Sequence, residues 1–297
     1  MRISLNNFLP FSLENTLSCG QAFRWEKIDG WWYGAVKDRV FKIRQRGKTL
    51  EFENVKFNFV REYFRLEDNL EMILCEINKD KNVGKAVEAL RGLRVLRQDP
   101  WECLISYICA TFKNIKAIRR MLQNLSQKFG SPIFLDGYKF YTFPTPEKLA
   151  EANLKDLAAC GLGYRAKYVF ETSKEVFRQD FKIESLKNES FEKARAALLK
   201  FPGVGYKVAD CVALFSLEKL EAFPVDVWIK RVLLKYYSEH FEEKFVRKIS
   251  VKRSLTAFEY ETLSLFGRKY FGKYAGYAQE YLYHFERAKS SRLGPPL

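Results

Sequence analysis

The spacing of hydrophobic and polar residues changes along the sequence, and this change divides the chain into two parts. Between residues 22 and 55, aromatic and β-branched residues alternate imperfectly with polar ones, which predicts short strands. The turn-forming pairs Asp29-Gly30, Lys37-Asp38 and Arg46-Gly47 separate these strands. Asp-Gly between two such runs is a strong hairpin signal. This part of the chain is therefore predicted to form a small antiparallel meander.

From about residue 56 the apolar residues recur with a helical period. Residues 66–79 and 83–92 are predicted to be helices that cover one face of the sheet. Asp99-Pro100 supplies an N-cap and a favoured first helical residue, and it introduces an apolar helix over residues 101–112.

Helical patterns continue towards the end of the chain. Thr145-Pro146 repeats the start signal, and Gly161 is a stop signal for a helix over residues 154–160. The other predicted helices cover residues 165–179, 190–200, 206–217, 225–238 and 274–289. Residues 131–145 are predicted to be the longest irregular stretch, and residues 292–297 to be a loose tail.

These elements predict an α+β fold with two domains. An antiparallel sheet with helices is expected over residues 1–96, and an all-helical domain over residues 97–297. A length of 297 residues agrees with about two domains, and a hydrophobic content of 47% excludes a disordered chain. No apolar run approaches the length of a membrane span, and no secretory signal pattern is present, so a non-secreted protein is expected.

Cysteine spacing and charge narrow the possible functions. The six cysteines are scattered, with no CxxC pair and no histidine cluster, so no metal site is expected and a reducing compartment is favoured. Lys and Arg number 51 against 36 Asp and Glu, which leaves a net charge of +15. Such a surplus favours an anionic partner, whether nucleic acid, an acidic membrane surface or an acidic protein.

A glycine-rich turn joins two helical patterns over about residues 191–217. The turn is Phe201-Pro202-Gly203-Val204-Gly205, whose glycines permit a tight turn and a close approach of another backbone. Free N–H groups at the start of the second helix form an anion site where a phosphate can bind. Taken alone, the motif favours a plain helix–helix turn over a phosphate site, because short motifs often match by chance.

Two residues near this turn carry candidate chemistry. Lys207 lies at the positive end of a helix dipole, which disfavours its charged form, and a neutral lysine amine is a nucleophile that forms Schiff bases. Cys211, four residues on, shares its helix face. Asp226 is predicted to cap the next helix and to stabilise positive charge or accept a proton. Singly, a solvated lysine and a simple cap remain the alternatives.

Several segments together resemble one family of enzymes. Residues 201–211 (FPGVGYKVADC) and 223–227 (FPVDV) resemble the helix–hairpin–helix–Gly/Pro–Asp element of DNA glycosylases, in particular the 8-oxoguanine DNA glycosylase/AP lyase branch. Further segments match that branch in the same order: SCGQAFRW (18–25), LRQDPWECLISYIC (96–109), CGLGYRAKYV (160–169) and KYAGYAQEYLY (273–283). The resemblance spans about residues 12–290 and implies a TBP-like sheet domain followed by a helical catalytic domain.

The resemblance also implies a mechanism. The lesion nucleotide is flipped out of the DNA stack. Lys207 then attacks the sugar C1′ while Asp226 stabilises the oxocarbenium-like charge, and the resulting Schiff base leads to β-elimination and a nicked strand.

For the lesion base, the resemblance implies four contacts. The Gly20 carbonyl accepts a hydrogen bond from N7–H of oxidised guanine, where normal guanine presents a lone pair. Gln279 reads the Watson–Crick edge, and the base is sandwiched between Cys211 and Tyr283, the latter at a position where the family usually has Phe.

For the rest of the DNA, the resemblance implies that the hairpin backbone of Gly203, Val204 and Gly205 holds a phosphate. In members of the family a structural monovalent cation is often bound by carbonyls of the turn. By position, its ligands here would be the carbonyls of Leu199, Phe201 and Val204. No other cofactor is expected. Trp228, where the family usually has His, is expected to donate to phosphate.

The sequence departs from the family at the positions that contact the opposite base. Phe112 replaces an Asn and Ala117 replaces an Arg. Phe stacks into a gap but does not read the edge of cytosine. Arg165 is then the remaining candidate reader of cytosine and Tyr164 a candidate wedge, so a relaxed opposite-base preference is expected.

The expected partner is double-stranded DNA containing oxidised guanine, with no membrane association and a monomeric protein. The expected location is the nucleoid in the bacterial cytoplasm or the nucleus of a eukaryote. Two alternatives stay open: a related glycosylase for another lesion, such as an alkylated base, and a non-catalytic DNA-binding module. Such alkylation enzymes generally lack the lysine at Lys207, and a binding module needs neither Lys207 nor Asp226.

Overall fold

The computed structural model describes residues 1–292. Residues 293–297, which make up most of the predicted loose tail, lie outside the described part.

A five-stranded antiparallel sheet forms the start of the molecule. Its strands are β1 (Arg2–Ser4), β2 (Trp25–Ile28), β3 (Trp31–Val36), β4 (Arg39–Arg46) and β5 (Thr49–Glu53), in the order β1-β5-β4-β3-β2. Ile43 pairs with Trp32 on one side and with Phe52 on the other, which aligns buried side chains across the sheet. The meander predicted over residues 22–55 is confirmed, and β1 adds an edge strand that was not predicted.

Fifteen α-helices lie within the described residues. They are α1 (Leu13–Ser18), α2 (Phe57–Tyr63), α3 (Leu70–Ile77), α4 (Lys81–Ala89), α5 (Pro100–Ala110), α6 (Ile115–Phe129), α7 (Pro146–Ala150), α8 (Leu154–Leu157), α9 (Arg165–Arg178), α10 (Phe191–Leu198), α11 (Tyr206–Ser216), α12 (Val227–Tyr236), α13 (Glu243–Ser250), α14 (Ala257–Phe271) and α15 (Ala275–Arg292). The predicted N-caps are confirmed, because Asp99 accepts from the Glu102 N–H and Thr145 from the Lys148 N–H. None of the described helices is long and apolar enough to cross a membrane.

The prediction that α3 and α4 cover the sheet is wrong. The sheet core of Phe41, Ile43 and Phe52 is instead closed by residues of α1 and α2. The apolar faces of α3 and α4 join the larger helical core, where both helices pack against α15. Their sequence period shows that each has an apolar face, but not which partner that face meets.

The prediction that residues 131–145 are irregular is also wrong. They contain a second antiparallel pair, β6 (Pro132–Leu135) and β7 (Tyr138–Tyr141). Asp136 and Gly137 form the turn with positive φ angles of 52° and 79°. The Asp136 carboxylate accepts hydrogen bonds from Tyr33 Oη and Lys42 Nζ, both at 2.7 Å, and this holds the hairpin against the main sheet.

An ion-pair cluster joins the sheet region to the helices. Glu218, just after α11, contacts Arg65 Nη2 at 2.7 Å and Arg97 Nε at 3.1 Å. The Gln98 N–H also donates to the Phe215 carbonyl at 2.9 Å. These contacts fix the sheet region relative to α11, the helix that carries Lys207.

Candidate active site

One cavity of about 690 Å³ opens between the start of α11, the start of α12, α15 and the segment that follows α1. Its wall contains ten of the residues singled out from the sequence: Gly20, Phe112, Gly203, Gly205, Lys207, Cys211, Asp226, Trp228, Gln279 and Tyr283. Positions that are far apart in the chain therefore meet in one place.

Lys207 is the second residue of α11, whose N-cap is Gly205. The lysine is half-buried, and its Nζ lies 4.7 Å from the ring centroid of Tyr107, a cation–π distance. Tyr107 is itself fixed, because its hydroxyl donates to the Gln21 carbonyl at 3.1 Å and its ring stacks on Phe215. The amine is thereby held at the cavity wall by a rigid aromatic neighbour.

Asp226 is the N-cap of α12, as predicted. Its Oδ1 accepts hydrogen bonds from the backbone N–H groups of Trp228 and Ile229, each at 2.9 Å. Burial raises the pKa of Asp226, while the Ile229 N–H and the charge of Lys207 oppose that rise. The cavity therefore brings an amine and a fixed carboxyl group within electrostatic reach of each other.

Gly20 has a φ of +102°, a conformation that side-chain-bearing residues rarely adopt. The neighbouring Gln21 anchors it, because its Nε2 donates to the Arg94 carbonyl at 2.8 Å and its Oε1 accepts from the Leu96 N–H at 2.8 Å. The sequence motif thus combines a glycine at the cavity with a glutamine that fixes its backbone.

Gln279 is 5% exposed, and its Oε1 has no hydrogen-bond partner among the described residues. Cys211 is buried, and burial raises the pKa of its thiol to about 12, so the thiol stays neutral at pH 7. Tyr283 is half-buried, and its hydroxyl accepts from Arg287 Nη1 at 3.3 Å. An unpaired amide oxygen next to uncharged, polarisable walls suits a flat polar ring.

The turn between α10 and α11 is closed by two hydrogen bonds. The Val204 N–H donates to the Phe201 carbonyl at 3.1 Å, and Thr172 Oγ1 donates to the Pro202 carbonyl at 2.9 Å. Gly203 has a φ of +78°. A carbonyl oxygen that accepts one hydrogen bond, such as that of Phe201, retains a second lone pair. Carbonyl oxygens of this kind are suitable ligands for the monovalent cation considered above.

The opposite-base candidates are Phe112, which also lines the cavity, Tyr164 and Arg165. Phe112 is 74% exposed and has a φ of +54°, and Tyr164 is 58% exposed, so both rings project from the surface. Arg165 is only 4% exposed: its guanidinium donates to the carbonyls of Thr111 and Leu162 and lies 4.3 Å from the Tyr164 ring centroid. In this arrangement the Arg165 guanidinium packs against Tyr164 and the Thr111 carbonyl and is buried.

Three further residues at the cavity were missed by sequence reasoning. Glu280 is a buried carboxyl group, whereas Lys113 and Arg253 are exposed cations. Glu280 directly follows Gln279 inside the segment KYAGYAQEYLY, but nothing in the sequence singles it out. The loop that carries Arg253 has no motif that marks it. Trp228 lies at the same wall, with the Arg231 guanidinium 5.1 Å from its ring centroid.

Matches to two protein-family models identify the class of protein to which this chain belongs. Residues 105–253, which include the hairpin and Asp226, match the family model of the HhH-GPD superfamily of base excision DNA repair proteins. Residues 2–104 match the model of the 8-oxoguanine DNA glycosylase N-terminal domain. The fold class and the resemblance inferred from the sequence are therefore confirmed.

Similar proteins and a similar solved structure identify the family within that class. The N-glycosylase/DNA lyase of Saccharomyces cerevisiae is 32% identical over 92% of this chain and 83% of its own length. The N-glycosylase/DNA lyase OGG1 of Arabidopsis thaliana is 31% identical over 92% of this chain and 76% of its own. A solved Clostridium acetobutylicum 8-oxoguanine glycosylase/lyase, in complex with double-stranded DNA containing cytosine opposite to 8-oxoG, superposes with a TM-score of 0.84 at 33% identity, covering 94% of this chain and 93% of that one. The chain belongs to the 8-oxoguanine DNA glycosylase family.

Proposed function

We propose that this chain is a bifunctional DNA N-glycosylase and apurinic/apyrimidinic-site lyase that removes 8-oxoguanine from duplex DNA in base excision repair. The observation that carries the proposal is the meeting of Lys207 and Asp226 at one cavity wall, in a family whose named relatives are N-glycosylase/DNA lyases.

The reaction assigns one role to each of the two residues. The neutral Lys207 amine attacks C1′ of the flipped nucleotide, the bond from C1′ to the base breaks, and its electron pair leaves with the base. Asp226 stabilises the positive charge that develops on the sugar. The C1′–O4′ bond of the sugar ring then breaks, O4′ takes a proton and the nitrogen loses one, so that a Schiff base forms at C1′. Loss of a C2′ proton breaks the C3′–O bond and expels the 3′ phosphate.

Base recognition rests on neutral groups. The Gly20 carbonyl accepts from N7–H, which oxidised guanine has and guanine lacks. Gln279 uses its unpaired Oε1 on the Watson–Crick edge, and Cys211 and Tyr283 face the two sides of the ring. Losing one buried hydrogen bond costs on the order of 1–3 kcal/mol, so flipping and catalysis must add further selectivity.

DNA backbone binding is assigned to the hairpin. The Gly205 N–H at the start of α11 suits a phosphate oxygen, while the Val204 N–H is donated to the Phe201 carbonyl and fixes the shape of the turn. The Trp228 indole is a further donor. A monovalent cation on the carbonyls of Leu199, Phe201 and Val204 would add positive charge beside that phosphate. We place this activity at the nucleoid of a bacterium or in the nucleus of a eukaryote, and we expect a monomer.

Borohydride trapping on DNA with one 8-oxoguanine tests the mechanism. Wild-type protein is expected to form a covalent adduct that disappears in Lys207→Gln. Asp226→Asn keeps a side-chain oxygen for the cap but loses the charge, so base release is expected to slow roughly 10²–10³-fold while DNA binding is kept. Wild-type protein that gives neither adduct nor nick would refute the lyase activity, and loss of DNA binding in Asp226→Asn would make Asp226 a structural cap only.

The opposite-base proposal has a separate test. Because Phe112 projects from the surface and Arg165 is held by main-chain carbonyls, we expect 8-oxoguanine excision rates opposite C, A, G and T to differ by less than about tenfold. Single-turnover rates on the four duplexes measure this directly. A strong preference for C would contradict it.

A further inference from the structure

Glu280 brings a buried carboxyl group to the active-site cavity. It lies on α15 beside Gln279, is 2% exposed, and forms part of the same cavity wall. Its Oε1 has no hydrogen-bond partner among the described residues. A buried polar oxygen without a partner costs stability. Two neighbouring residues, Gln279 and Glu280, therefore both present an unpaired oxygen in one cavity.

The Cys19 thiol is close enough to the Glu280 carboxyl group for a hydrogen bond that lowers the pKa of Glu280. The one thiol proton of Cys19 is, however, donated to the Thr16 carbonyl at 3.2 Å, and Glu280 Oε1 is left without a partner among the described residues. Burial raises the pKa of Glu280 to about 7, Asp226 also raises it, and Cys19, Arg287 and Lys207 lower it. The titratable and charged groups that interact with it are Cys19, Tyr107, Lys207, Asp226, Tyr283 and Arg287.

We propose that Glu280 is a further substrate-binding residue, whose Oε1 accepts a hydrogen bond from an N–H group of the flipped purine lesion. This inference rests on the proposed function. Oxidised guanine carries N–H donors on N1, N2 and N7, and an ionised carboxylate is an acceptor only, so the two are complementary. A base with fewer edge donors leaves the buried carboxylate unpaired, and sites of this kind discriminate strongly against such bases.

Two substrates separate a contact with the base from an effect on Lys207. Glu280→Gln is compared with wild type on duplex containing 8-oxoguanine and on duplex containing a preformed abasic site, which has no base. We expect single-turnover excision to fall about tenfold or more, and strand cleavage at the abasic site to fall less than about threefold. Glu286→Gln is the matched control, because Glu286 lies on the same helix and binds Lys235 and Tyr236 outside the cavity.

The pH dependence gives an independent readout. The carboxylate form, which is the better acceptor, predominates above about pH 7 and is lost as the pH falls. All other residues are common to both proteins, so the pH dependence that they share cancels in the ratio of wild-type to Glu280→Gln excision rates. That ratio is expected to rise as the pH increases from about 6 to 8.

The outcomes distinguish the two proposals. Wild-type protein that does not excise 8-oxoguanine overturns the proposed function itself. If wild type excises 8-oxoguanine, three results would overturn the role of Glu280. They are equal excision rates for wild type and Glu280→Gln, equal losses of Glu280→Gln on both substrates, and a ratio of excision rates that does not change with pH. Because an unpaired buried carboxylate destabilises the fold, Glu280→Gln and Glu280→Ala are both expected to keep or raise Tm. A fall in Tm for both variants would show that the carboxylate is already paired, and it would also overturn the inference.

Discussion

Gly20 shows how much of this site depends on single residues. An added Cβ would lie 2.6 Å from Ile115 Cδ1 and 2.7 Å from Arg287 Nη1, and its φ of +102° is unfavourable for any side chain. Both neighbouring atoms are the ends of flexible side chains, so the substitution can be accommodated by movement. That movement occurs at the cavity wall, where the lesion is proposed to bind.

We expect Gly20→Ala to reduce 8-oxoguanine excision at least about tenfold, because the carbonyl that we propose accepts from N7–H is displaced. Cleavage of a preformed abasic site should be reduced much less. Gly30→Ala is the matched control: Gly30 also has a positive φ of 79°, but nothing lies within 4 Å of its added Cβ. This control should lose about 1–2 kcal/mol of stability and keep its activity. Equal losses of Gly20→Ala on both substrates would exclude a role in reading the base.

Single residues also mark the limit of sequence reasoning. Lys207 and Asp226 were identified because their motif has a fixed spacing and their chemistry is distinctive. Glu280 lay inside a recognised motif, yet only its burial and unpaired oxygen single it out. Arg165 was identified from the family resemblance as the remaining candidate reader of cytosine, and the sequence did not show that the fold buries its guanidinium against main-chain carbonyls.

At the scale of elements, the turn between α10 and α11 depends on Gly203. Its added Cβ would lie 2.7 Å from both Cβ and Cγ of Tyr168, atoms close to the backbone of α9 that cannot move aside easily. Gly205, in the same turn, has nothing within 4 Å of its added Cβ and a φ of −93°. The two glycines therefore differ in packing, because an added Cβ would clash with α9 at Gly203 and would meet open space at Gly205.

We expect Gly203→Ala to lower the free energy of unfolding by roughly 2–4 kcal/mol, from left-handed strain and overpacking together. Gly205→Ala should cost less than about 1 kcal/mol, since it only replaces an N-cap glycine. Denaturant unfolding of the two variants beside wild type measures the difference. Equal costs would mean that α9 yields to the new methyl group.

Secondary-structure elements were predicted correctly where turn and cap residues determine them. The predictions failed where tertiary packing determines the structure. The strands of the meander and the capped helices carry their own turn and cap residues. Helices α3 and α4 were correctly predicted as helices but assigned to the wrong partner, because periodicity defines an apolar face and not its contact. The β6–β7 hairpin was missed although Asp136-Gly137 is a hairpin signal, since its strands are short and only partly buried.

At the scale of the whole molecule, net charge and the active-site cavity have different roles. The net charge of +15 is uneven, since residues 228–297 carry 14 Lys and Arg against seven Asp and Glu, a surplus of +7. This surplus attracts duplex DNA of any sequence. Lesion selectivity, by contrast, is assigned to uncharged or buried groups inside the cavity.

Salt dependence tests that division. Binding to undamaged duplex is expected to weaken steeply with salt, with log K falling by about 0.9 per log unit of salt for each phosphate neutralised. Lys113→Ala and Arg253→Ala remove exposed cations at the cavity wall, so each should reduce the slope by about 1. Arg46→Ala removes an exposed cation at the β4–β5 turn, away from the cavity, and should leave the slope unchanged. Fluorescence anisotropy over a salt series gives all four slopes. If Arg46→Ala changed the slope as much as Arg253→Ala, the DNA would be held by the overall charge of the protein and not by a surface centred on the active-site cavity.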